Sequence, residues 1–163
     1  MMKRRHYEKV RTWFLGAGWR MALLCAVYRG LPLFVAVSYP CCLLLCFLYR
    51  RELFWRAVFA PAAMFFLVSV FRHFVDFPRP YEKDGIVPLI AKEKKGHSFP
   101  SRHAASAGMI AAVWLALARP AGIFFLAVAA LIAASRVLAG VHYGRDVLAG
   151  GVFGFAAVWI FFV

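Results

Sequence analysis

A chain of 163 residues has room for one domain, and a hydrophobic content of 64% with a mean hydropathy of +0.73 lies far above the roughly half-apolar make-up of soluble proteins. The net charge of +13, from 20 Lys and Arg against 7 Asp and Glu, fits nucleic acid, anionic lipid headgroups or an anionic substrate. Placement in a membrane argues against nucleic acid, leaving lipid and substrate as the expected partners.

In chain order, the basic segment 3–11 leads into a first apolar run at 13–28. Arg20 interrupts that run and no small-residue cleavage site follows, so a retained helix is expected rather than a signal peptide. A cation at mid-span costs about 2.5–3.5 kcal/mol unless it pairs or faces the bundle interior. The alternative is an interfacial helix anchored by Trp13 and Trp19. Further apolar runs cover 31–48, 53–71, 104–118, 122–138 and 147–163, each near the roughly 20 residues that cross a hydrocarbon core. The expected fold is an all-α integral membrane bundle of six transmembrane helices, or five plus an N-terminal interfacial helix, forming a single domain over 1–163. Cys25, Cys41, Cys42 and Cys46 lie in apolar stretches without metal or disulfide spacing and read as packing residues.

The one long polar connection, 74–100, carries Asp76, Arg79, Glu82, Lys83, Asp84, Lys92, Glu93, Lys94 and Lys95. The others, 29–32 and 119–120, read as tight helical hairpins. Helix alternation then brings the end of the third run, the start of the fourth, the end of the fifth and the start of the sixth to one face. Gly140 with Gly144, and Gly150 with Gly154, would allow close helix approach there.

Three clusters meet at that face: Arg72 with Arg79, then Pro100-Ser101-Arg102-His103, then Ser135-Arg136 with His142 and Asp146. Asp146 stands four residues beyond His142, so on a helix the pair should touch. A carboxylate on one imidazole nitrogen fixes the tautomer and frees the other nitrogen to attack phosphorus; a purely structural pair closing a helix start is the alternative. Arg72, Arg79 and Arg136 sit near helix ends, where guanidinium groups either snorkel to headgroups or fork onto phosphate oxygens. Pro78 and Pro80 suggest that the helix carrying Arg72 unwinds before Arg79. Ser101 is placed as an N-cap, with the following N–H groups at the positive end of a helix dipole, and His103 within that first turn could deliver a proton.

This constellation resembles the type 2 phosphatidic acid phosphatase family, whose three-part signature also occurs in vanadium haloperoxidases. The family's Lys, six residues, Arg-Pro stands here as Arg72 and Arg79-Pro80. Pro-Ser-Gly-His stands as Pro100-Ser101-Arg102-His103. Ser-Arg, five residues, His, three residues, Asp is matched without substitution by Ser135, Arg136, His142 and Asp146. The resemblance, centred on 72–146, implies that His142 is the nucleophile, Asp146 its orienting partner, His103 the general acid, and Arg72, Arg79, Ser101 and Arg136 the phosphate-binding groups. It implies a metal-independent lipid phosphatase with a phosphohistidine intermediate and no cofactor, acting on a lipid phosphate or diphosphate such as a polyprenyl diphosphate, phosphatidylglycerophosphate or phosphatidate. Arg72 for Lys keeps the charge but changes a point charge into a planar fork. Arg102 for Gly adds bulk and charge, is strained if the position needs positive φ, and could contact a second phosphate.

A zinc site from His103, His142 and Asp146 is the competing reading of these residues, disfavoured because the face gathers arginines rather than carboxylates. Two further classes are a non-catalytic phospholipid-binding or lipid-transport protein, which would need no nucleophile, and a vanadate-dependent oxidase. The expected location is a bacterial plasma membrane. If the first helix spans, its cations join Arg50, Arg51 and Arg119 opposite the site, and the positive-inside rule makes the site extracytoplasmic.

Overall fold

The computed structural model describes residues 4–92 and 95–162; Lys3, Glu93, Lys94 and Val163, named above, lie outside them. Among the described residues there are seven helices and no strand. They are α1 (Arg4–Leu15), α2 (Gly18–Tyr49), α3 (Arg51–Phe74), the single turn α4 (Pro80–Lys83), α5 (Arg102–Leu117), α6 (Arg119–Leu138) and α7 (Gly144–Trp159). Three of them, α2, α3 and α6, are long and apolar enough to cross a membrane, and α5 is a shorter apolar helix. Large apolar side chains such as Leu33, Phe66 and Leu148 stand exposed around the bundle, as a hydrocarbon-facing surface requires.

The N-terminal third departs from expectation. The first run from Gly18 onward and the run 31–48 are one continuous helix, α2, which passes through Pro32 and Pro40 without a hairpin, while 13–15 close α1. Where lipid surrounds the chain, a break would leave N–H and C=O groups without water, so the helix tolerates its prolines. The first run is therefore no separate span. Instead the short α1 precedes it, joined by an elbow at Gly16 and Ala17 where Arg20 donates to the Trp13 carbonyl (2.8 Å) and lies 4.2 Å from the Trp13 ring centroid.

Inward-facing Tyr7 is buried and its hydroxyl accepts the Leu89 N–H (3.0 Å). Leu89 also donates to the Ala139 carbonyl (3.0 Å) at the end of α6. These bonds fix α1 at the end of the bundle that holds the three motifs. Arg4, Arg5, Lys9 and Arg11 thus lie at that end, while the α2–α3 and α5–α6 junctions, with Arg50, Arg51 and Arg119, lie at the other. An extracytoplasmic site was expected only if the first helix spans and carries the N-terminal cations away from it; the short α1 leaves them at the motif-bearing end, so that condition is not met.

The core is layered along the bundle. Cys42, Cys46, Leu53, Ala57, Ala112 and Val158 pack at the far end, Val35, Ala107, Phe125 and Ile132 in the middle, and Leu24, Tyr28, Ile90 and Val141 beneath the motif-bearing end. The cysteines are free, and Cys42 and Cys46 are buried packing residues. The α5–α7 pair is the tightest. A side chain at Gly150 would stand 2.5 Å from the Ser101 carbonyl, and one at Gly154 would run into the Ala105 backbone. Gly140 instead meets Tyr7, and Gly144 faces open space, so close helix approach belongs to Gly150 and Gly154.

Candidate active site

α3 ends at Phe74, the backbone runs extended through Arg79, and Pro80 opens α4 at the position where a missing N–H costs nothing. Arg72 in the last turn of α3 is buried. Its Nη1 donates to the carbonyls of Ser98 (3.2 Å) and Pro100, and its Nη2 to that of His97. Arg79 is also buried, with Nε on the Gly96 carbonyl (2.9 Å) and Nη1 on that of Val141 (3.3 Å). Arg136, in the last turn of α6, donates from Nη2 to the Tyr28 carbonyl (3.0 Å) and lies 3.7 Å from the centre of the Tyr28 ring. Arg72 and Arg79 therefore hold the loops around the site through carbonyls, and Arg136 holds α6 against α2 in the same way. Each guanidinium has five N–H donors, and these bonds use only some of them. Arg136 Nε is buried with no partner.

Ser101 takes the N-cap position of α5, as expected, but its hydroxyl makes no capping bond. That hydroxyl is buried without any hydrogen-bond partner, an arrangement that costs about 1–3 kcal/mol in a folded interior. The Ser101 N–H donates to the Asp146 carbonyl (2.9 Å), locking the start of α5 against the start of α7. Arg102 is the first residue of α5 and has negative φ, so replacing the family glycine causes no backbone strain.

His142 is buried in the turn between α6 and α7, and Asp146 is fully buried in the first turn of α7. The expected pair is in contact and is bridged as well. His142 Nδ1 and Asp146 Oδ2 are 3.7 Å apart, beyond a good hydrogen bond. Ser98, fully buried, donates its hydroxyl to Asp146 Oδ2 (2.6 Å) and stands 3.4 Å from His142 Nδ1. The Tyr143 N–H donates to the same carboxylate oxygen (3.0 Å), and Arg145 Nε is 3.5 Å from the other. Ser98 was not anticipated from sequence, since a serine three residues ahead of an N-cap carries no spacing signal of its own.

With Nδ1 turned to Ser98 and Asp146, Nε2 is the nitrogen left for chemistry. Burial pushes the His142 pKa down to about 4; the Asp146 carboxylate opposes that shift, while Arg79 and Arg72 add to it. The ring is thus neutral at pH 7. The neighbouring Tyr143 phenol, pushed up to about 12 by burial and by its bond to Asp84 (2.9 Å), stays protonated and ties the turn to the 74–100 connection.

His103 faces outward from the first turn of α5, where Arg136, Lys92, His142 and Arg102 all lie near enough to act on it electrostatically. It lines a cleft of about 520 Å³ walled by Pro32, Leu33, Phe65, Ser106 and Ile110. A second cavity of about 270 Å³ shares Phe65, Ser106 and Ile110 and continues toward Tyr39 and Val58. There the Tyr39 hydroxyl donates to the Ala57 carbonyl and joins α2 to α3. A polar notch of about 150 Å³ beside the cleft is lined by Ser69, Arg72, His73, His97 and Arg102. Among the described residues no group of three His, Cys, Asp or Glu side chains is placed to hold a metal ion.

The structure thus brings His142, Asp146, Ser101, Arg72, Arg79 and Arg136 together, with His103 and Arg102 at the rim. No curated protein matches the chain. Among solved structures, the crystal structure of Aquifex aeolicus LpxE is similar, with a TM-score of 0.61 and 24% sequence identity over 86% of this chain and 92% of that one; a likeness at this identity concerns the fold. Residues 53–163 match the family model described as PAP2 superfamily, a stretch that contains all three motifs and every candidate site residue. The chain therefore belongs to the PAP2 superfamily.

Proposed function

We propose that this protein is a metal-independent lipid phosphate or diphosphate phosphatase that works through a phosphohistidine on His142. One observation carries the reading. A buried, neutral imidazole directs Nδ1 toward a serine and a carboxylate beside Arg79 and Arg72, while His103 and Arg102 of the same cluster line an apolar cleft.

His142 Nε2 attacks phosphorus, and the bond from phosphorus to the lipid oxygen breaks as His103 gives that oxygen a proton. The positive charge that develops on the imidazole is met by Asp146 through Ser98. Water then gives a proton back to His103 and attacks the phosphohistidine, breaking the phosphorus–nitrogen bond and restoring His142. Ser101 Oγ and Arg136 Nε would spend their unmet hydrogen-bonding capacity on phosphoryl oxygens as charge builds there, where preorganised donors contribute most. The lipid tail would lie in the cleft between α2 and α3. Arg102, lining both cleft and notch, supports room for a second phosphate and hence a diphosphate lipid such as a polyprenyl diphosphate.

The test is phosphate release by the purified protein in EDTA from phosphatidate, phosphatidylglycerophosphate and a polyprenyl diphosphate. Activity should survive the chelator and disappear in His142→Ala. Arg102→Gly should lower turnover of the diphosphate relative to the monophosphates. Binding of these lipids without release from any of them would favour a recognition or transport role.

A further inference from the structure

The outer face of α1 is organised for a ligand that the catalytic reading does not use. Arg5, Lys9 and Trp13 follow one another at four-residue spacing, so they form one stripe along the helix, and all three are exposed. Arg4 is exposed beside them, and Leu15 and Trp19 present apolar surface at the elbow. A line of cations leading into tryptophans is the chemistry of a bilayer boundary, with phosphates above and the aromatic belt below. Each cation near an anionic surface gains about 1 kcal/mol, which is close to fivefold in occupancy. The inner face of the same helix reaches the nucleophile's turn. Tyr7 receives the Leu89 N–H, and its ring fills the space beside Gly140, whose φ of +76° admits no side chain there without strain. Two residues further on is His142.

We propose that α1 is a latch bound by anionic phospholipid headgroups: Arg5 and Lys9 hold the helix on the membrane surface, and that hold keeps Tyr7 seated against the turn that carries His142. The partner is an anionic bilayer surface, recognised by charge rather than by a particular headgroup. The elbow geometry supports transmission, because Arg20 fastens the end of α1 to α2 through the Trp13 carbonyl and ring, which leaves the stretch that carries Arg5, Tyr7 and Lys9 as one helix anchored at its junction.

The experiment reads the latch without turnover. Hydrogen exchange of the peptide containing Leu89 is followed in nanodiscs of phosphatidylcholine alone and of phosphatidylcholine mixed with phosphatidylglycerol. Wild-type protein is compared with Arg5→Gln/Lys9→Gln, which changes only exposed side chains. Exchange of Leu89 should slow about tenfold in the anionic discs for the wild type and stay unchanged for the variant. Equal exchange in both discs, or a variant that responds like the wild type, overturns the proposal. Neither result depends on whether the protein hydrolyses a lipid phosphate.

Discussion

With its hydroxyl 2.6 Å from Asp146 and 3.4 Å from His142, Ser98 carries the carboxylate's influence across a 3.7 Å gap that no direct hydrogen bond closes. Hydrogen bonds to charged groups contribute about 1.5–3 kcal/mol, so Ser98→Ala is expected to lower kcat by about ten- to a hundredfold with little change in KM. Ser98→Thr, which keeps the hydroxyl, should retain most of the activity; steady-state kinetics on a lipid phosphate would check both, and an unchanged kcat in the alanine variant would remove Ser98 from the relay. The pH profile offers a second measurement. On the proposed mechanism attack needs neutral His142, so the acid limb of kcat/KM should have its midpoint near pH 4 rather than near the ordinary imidazole value of about 6.5. Because Asp146 raises this pKa and Arg79 lowers it, Asp146→Asn should move the limb to lower pH and Arg79→Gln to higher pH. A wild-type limb near 6.5 would contradict the burial argument. His142, Asp146, Arg72, Arg79 and Arg136 were readable in the sequence because charged and imidazole groups interrupt apolar runs there. The bridging serine and the carbonyl partners of Arg72 were not, since both arise from how loop 96–100 folds back over α3; the Val141 and Tyr28 carbonyls that meet Arg79 and Arg136 depend likewise on tertiary packing.

At the scale of elements, the catalytic end is aligned by the contact of α5 with α7. The Ser101 N–H to Asp146 carbonyl bond forms because Gly150 lets the two backbones meet. Gly150→Ala places a methyl group 2.5 Å from the Ser101 carbonyl, and overpacking of this kind costs about 1–3 kcal/mol. The variant should show a lower Tm in detergent and a lower kcat together. Gly144→Ala, facing open space, should leave both near wild type, and equal behaviour of the two variants would count against the packing argument. α3, α5, α6 and α7 were legible from apolar runs bounded by charge, and the unwinding between Arg72 and Arg79 from its prolines. α2 was not, because the stretch from Arg29 to Pro32 reads as a hairpin yet is carried inside a helix whose surroundings offer its backbone no other partners. With that break gone, the N-terminal cations stand at the motif-bearing end, where the alternative of an interfacial first helix would have put them.

For the whole molecule, the catalytic face concentrates cations while the flank below it is apolar, the polarity of a lipid phosphate. On the proposed function, the tail's course would follow from where α2 and α3 meet. They are joined at Tyr39 and Ala57 and leave between them, toward His103, the two cavities that share Phe65, Ser106 and Ile110. Ser106 is the small residue at that shared point, one helical turn beyond Arg102 on α5, and a bulky side chain there would occupy the path of a chain. Apolar burial contributes about 25 cal/mol per Å², so displacing roughly 60 Å² of tail contact costs about 1.5 kcal/mol, close to tenfold. Ser106→Phe should therefore lower kcat/KM for a long-chain lipid phosphate by about tenfold while leaving a short-chain, water-soluble phosphate ester nearly unaffected. Ala36→Phe, which fills the same cleft from α2, should reproduce the selectivity if the α5 variant folds poorly. Equal losses on long and short substrates would mean that the tail lies elsewhere, and the apolar groove beside Phe71, Phe99 and Phe153 would be the next surface to fill.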